Sequence, residues 1–148
     1  MTHRTVPRAC VVALGIVAVG PLTWWVAQAL PDEVPADRYA DYMWDPPDLA
    51  GAQRLGIGLL STVAVLAAAF VLADGIRSRR LRGEVLGIVL PLAGLAAYAG
   101  FTYAVATSPV NGANIGGGML ILGGVVVVPA TVGVSLLFVR RLRSQPAR

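Results

Sequence analysis

Polar and apolar positions along this chain segregate into long blocks rather than alternating. Four stretches carry no charged residue: Ala9 to Leu30, Leu55 to Ala73, Val85 to Ala106 and Ile115 to Val139. Each is close to the ~20 residues that an α-helix needs to cross a hydrocarbon layer ~30 Å thick. A Leu, Ile or Val near the centre of a span favours insertion by about 0.3 to 0.6 kcal/mol, whereas one Asp or Arg opposes it by roughly 2.5 to 3.5 kcal/mol. The lack of any charge in the blocks is therefore a strong signal. Buried helices of water-soluble proteins are sometimes this apolar one at a time. Four in a chain this short would leave too little polar surface to face water. The pattern predicts an all-α integral membrane protein, with four transmembrane helices forming a small antiparallel bundle in a single membrane domain.

The segments between the blocks give the expected orientation. Arg4 and Arg8 precede the first span, Arg77, Arg79, Arg80 and Arg82 fill the 74–84 connection, and Arg140, Arg141, Arg143 and Arg148 follow the fourth. Only Arg38 and Arg54 lie in the 31–54 connection, among Asp32, Glu33, Asp37, Asp41, Asp45 and Asp48. The 107–114 connection is uncharged. The positive-inside rule then predicts cytoplasmic tails (1–8 and 140–148), a basic cytoplasmic loop (74–84) and two extracytoplasmic loops (31–54 and 107–114). A second reading of the N-terminus is a signal peptide cut after Ala27-Gln28-Ala29. The apolar run continues through Trp24 and Trp25 to full spanning length, which favours a retained helix.

Composition agrees with these blocks: of 148 residues, 56% are hydrophobic and 14% charged, with a net charge of +4. All 12 basic residues are Arg, a usage typical of GC-rich genomes that points to a bacterial plasma membrane. The basic balance does not imply a nucleic-acid partner, because the arginines border apolar runs, where topology accounts for them. The expected partners are the bilayer itself, anionic headgroups at the Arg clusters, and a membrane-protein partner or further copies of the chain. Cys10 has no second cysteine to pair with and reads as a small buried hydrophobe.

Two connections hold candidate contact residues. Asp37, Asp41 and Asp45 recur every four residues and would share one face of a short interfacial helix, with Tyr39, Tyr42 and Trp44 at headgroup level. Pro46-Pro47 would end that helix, and Asp48 would cap the next span. Such carboxylates suit a solvated face, with cation or partner contact the alternative. Asn114, Gly116 and Gly117 combine a possible N-cap with flexible backbone at a helix start, which reads as tight packing, with a headgroup or solute contact as the alternative. Within the spans, Ala96, Gly100 and Ala104, and likewise Ala64 and Ala68, form small-residue seams for close helix packing. Pro21, Pro91 and Pro129 are candidate kinks. The intramembrane hydroxyls, Thr102 and Ser135 among them, are expected to bond to helix carbonyls or a neighbouring helix.

No hydrolase, thiol-redox or metalloprotease motif is present, and no ionisable residue lies within a span. In size the chain resembles the small multidrug exporters, but their membrane-embedded carboxylate has no counterpart in the first span. These features predict a non-enzymatic accessory or interaction protein with no cofactor and no metal. The alternative is a small, oligomeric permeation or export protein.

Overall fold

A computed structural model describes residues 5–28, 43–45, 47–108 and 115–144. It is all-helical there: α1 (Thr5–Gln28), α2 (Gly51–Arg77), α3 (Leu86–Ala106), with a single 3-10 turn at Gly83–Val85 ahead of it, and α4 (Ile115–Ser144). All four helices are long and apolar enough to cross a membrane. α2 and α4 run beyond their apolar blocks, since backbone hydrogen bonding continues past the last aliphatic residue until something interrupts it. Arg140, Arg141 and Arg143 thus lie within the last turns of α4, where cations suit the negative end of the helix dipole.

α2 ends in a tight C-terminal motif. Arg79 N–H donates to Ile76 O and Arg80 N–H to Gly75 O, with Arg79 in the left-handed region (φ 55°) where glycine is usual. The side chain of Leu81 then folds onto Gly75, which has no Cβ to obstruct it. The start of α2 departs from expectation. Its N-cap is Ala50, whose N–H donates to the Gln53 side chain at 2.9 Å, and Asp48 is exposed two residues earlier. A tight turn explains this, because Leu49 N–H reaches back to Pro47 O and holds Asp48 outside the helix.

The helices pack as a row, α2 beside α1, α1 beside α3 and α3 beside α4. Glycine sets the spacing. A Cβ on Gly15 would lie 2.1 Å from Ala68 Cβ, and one on Gly100 would lie 2.1 Å from Gly20 O. Gly20 in turn faces the Ala96 carbonyl, so both expected small-residue seams are contact lines, one against each side of α1. The indole of Trp25 lies over Gly58, and Phe138 of α4 lies over Gly87 of α3.

Along α1 and α2 these contacts run in opposite sense, Gly15 with Ala68 and Trp25 with Gly58. Along α1 and α3 they rise together, Gly20 with Gly100 and Gln28 with Thr107. α4 turns Gly117, Leu120, Gly124, Thr131, Ser135 and Phe138 inward at helical spacing, while Leu122, Val125 and Val126 are about 70% exposed.

The hydroxyls divide into two groups. Thr23 and Thr62 donate to the carbonyls four residues earlier, both at 2.8 Å, as expected. Thr102 and Ser135 are buried with no hydrogen-bond partner, contrary to expectation, because close packing encloses them on faces where no acceptor meets them. Cys10 also differs: it is exposed, lying near the start of α1, where residues 7–10 are all exposed. Nearby, Arg8 meets Asp74 of α2 at 3.7 Å, a pair about half exposed on both sides and so worth only ~0 to 1 kcal/mol.

Candidate functional site

Of the acidic connection ahead of α2, residues 43–45 and 47–50 are described, and the first of these stretches meets the end of α3. Trp44 N–H donates to Ala106 O at 3.1 Å, and the Trp44 ring lies tilted against Tyr103 with centroids 6.1 Å apart. Tyr103 in turn contacts Trp24 of α1 at 6.3 Å. One turn further along both helices, Gln28 Nε2 donates to Thr107 Oγ1 at 3.4 Å, and the Thr107 hydroxyl donates to Tyr103 O. Three aromatic rings and a polar clasp thus tie together the ends of α1 and α3 and the strand of chain leading into α2.

Below this cluster is an open-sided cleft of about 520 Å³. Gly20, Pro21 and Trp24 of α1 line it together with Gly100 and Tyr103 of α3. Ile57 of α2 and the Pro47 and Leu49 segment close its remaining sides. Its floor is the line where α1 and α3 approach backbone to backbone at Gly20 and Gly100. The walls are apolar, and among the described residues the charged groups next to its lining in sequence are Asp45, Asp48 and Arg54, all exposed. Such a site can hold a hydrocarbon group. It offers no nucleophile with an adjacent base, and no cluster of metal-ligating side chains occurs among the described residues.

Of the candidate contact residues singled out from sequence, Trp44 is the one brought to the cleft rim, through its contact with Tyr103. Asp45 follows it in exposed, non-helical chain, which corrects the expectation of an interfacial helix through this position. Pro46 is the physical reason, since the residue before a proline is pushed out of the α region. Gly116 and Gly117 lie in the first turn of α4, Gly116 exposed and Gly117 buried. Asp37, Asp41 and Asn114 lie outside the described residues.

Trp24, Tyr103 and Ile57 were not anticipated. A depth argument would have found the first two, since Trp24 stands four residues before Gln28 and Tyr103 four before Thr107 on helices that enter from the same side. Ile57 carried no such signal. Comparison with protein-family models, with curated proteins and with solved structures gave no match to this chain.

Proposed function

We propose that this chain is a multi-pass protein of a bacterial plasma membrane, its four helices crossing in alternating directions with both termini cytoplasmic. It acts as an accessory or interaction protein, without catalysis of its own. The observation that carries this reading is the one-sided packing of α4. One face of that helix meets α3, and the rest of its circumference presents Leu122, Val125, Val126 and Leu137 outward. On that outward surface Gly118 and Gly133 have open space around them, which would let another transmembrane helix approach closely. At the opposite, basic end, Arg77, Arg79 and Arg80 with Arg140 and Arg141 suit anionic headgroups of the inner leaflet, at roughly 1 kcal/mol per arginine near the surface.

The test is purification of a C-terminally tagged copy from its native membrane in mild detergent, with quantification of co-purifying proteins. A stoichiometric membrane-protein companion, lost on Gly133→Leu, is the expected result. Recovery of the chain alone would overturn the interaction reading. Recovery as a homo-oligomer would favour the small permeation protein instead, and solute flux in liposomes containing only this chain would then decide.

A further inference from the structure

We propose that the apolar cleft is a binding site for one phosphoglyceride with a zwitterionic headgroup, an acyl chain lying in the cleft and the headgroup between Arg54 and Asp48. The inference rests on the membrane-spanning reading above. Its first support is depth. Gly20 lies four residues below Trp24, so the cleft reaches about 6 Å down the helices at 1.5 Å per residue, from the aromatic rim toward the region of acyl chains. An open-sided apolar cleft of about 520 Å³ offers water no polar partners, and it falls within the size range of sites that hold small ligands. A flexible hydrocarbon chain is the occupant that both the walls and the surrounding medium favour.

The second support is the charge at its mouth. Arg54 precedes the lining residue Ile57 by three positions on α2 and so lies on the same side of the helix, one turn nearer its outer end. A cation in the first turn of a helix opposes the helix dipole, and a phosphate beside it would offset that cost. Asp48 stands between the lining residues Pro47 and Leu49 and is exposed, as is Asp45. A purely anionic headgroup would meet these carboxylates, and a purely cationic one would meet Arg54. A phosphate and an ammonium on the same headgroup satisfy both signs. The Trp44 and Tyr103 rings, in contact at the rim, would then meet the ester linkage, where amphipathic aromatics are favoured.

The test offers the purified full chain equal amounts of phosphatidylethanolamine, phosphatidylglycerol and diacylglycerol in mild detergent, and counts bound lipid by native mass spectrometry. One phosphatidylethanolamine is expected per chain, favoured at least about fivefold over phosphatidylglycerol, a ratio of the size that one or two charge contacts supply. Ile57→Trp, which fills the cleft, should reduce that adduct to background, and Asp48→Asn should bring the two phospholipids close to parity. If Ile57→Trp does not fold by thermal melting, Leu49→Trp fills the cleft from its other wall. Equal lipid retention by the wild type and a folded cleft-filling variant would overturn the proposal, as would equal binding of the two phospholipids by the wild type. Alkaline carbonate washing of native membranes separates the two levels. Release of the protein would refute the membrane reading itself, whereas a retained protein without a selective adduct refutes only the lipid site.

Discussion

At Gly100 the space for a side chain is occupied by backbone. A Cβ there would fall 2.1 Å from the Gly20 carbonyl oxygen, and neither helix can yield without parting α1 from α3. Gly94, two turns away on the same helix, has nothing within 4 Å of the equivalent position. Gly100→Ala is therefore expected to destabilise the protein by about 1 to 3 kcal/mol, the usual cost of overpacking. Gly94→Ala should be neutral or stabilising by up to roughly 1 kcal/mol, because alanine is the better helix former. Thermal melts of the two variants in one detergent make the comparison, and a gain at Gly100 equal to that at Gly94 would show that Gly100 acts through helix propensity alone. Thr102 presents the opposite situation, a buried hydroxyl whose hydrogen-bonding capacity is unmet. Thr102→Val keeps the shape and removes the polar atom, and should raise stability by about 1 kcal/mol or more, measured in the same melts. The sequence marked Gly100 as a seam residue because small residues recur at four-residue spacing around it. It could not mark Thr102 as unsatisfied, since the missing acceptor depends on which residues of α4 face it.

The helices illustrate how far a one-dimensional pattern reaches. Their existence was legible because a charge-free block of about 20 residues favours a helix with every backbone group bonded internally. Their ends were less legible, because termination depends on local backbone chemistry. Asp48 has the residue type of an N-cap, yet the Pro47 turn holds it two residues short and leaves Ala50 in that position. Gln53 already returns its side chain to the Ala50 N–H, so the motif lacks only an acceptor at position 50. Ala50→Ser should complete it and stabilise α2 by about 0.5 to 1 kcal/mol. Asp48→Asn should leave the melting temperature unchanged. Hydrogen exchange of the first-turn amides, Ala52 and Gln53 foremost, locates the gain, and protection lost on Asp48→Asn would restore the aspartate as the cap. The neighbouring aromatic cluster was only partly visible, as Trp44 stands out in the acidic connection. Its partners Trp24 and Tyr103 come from spans 79 residues apart and meet because α1 and α3 rise together.

For the molecule as a whole, the order of helices in the row determines which parts depend on one another. α1 is the centre: it holds α2 through Gly15 and Trp25 and α3 through Gly20, and the cleft and aromatic cluster belong to these three helices. α4 is joined at the far side of α3, by the Tyr98 hydroxyl donating to Leu120 O and by Phe138 over Gly87. In a closed bundle each helix supports two others, and removing any one exposes the common core. In a row the loss of an end helix removes a single interface. A chain ending after Ser108 should therefore keep the environment of Trp24 and Trp44, with near-ultraviolet circular dichroism and tryptophan emission in detergent close to those of the full protein. Its stability should fall, because Tyr98 and Gly87 lose their partners. Loss of the tryptophan signals on truncation would mean that α4 supports α1 and α2 as well as α3, and would place the cleft under the control of a helix that does not line it.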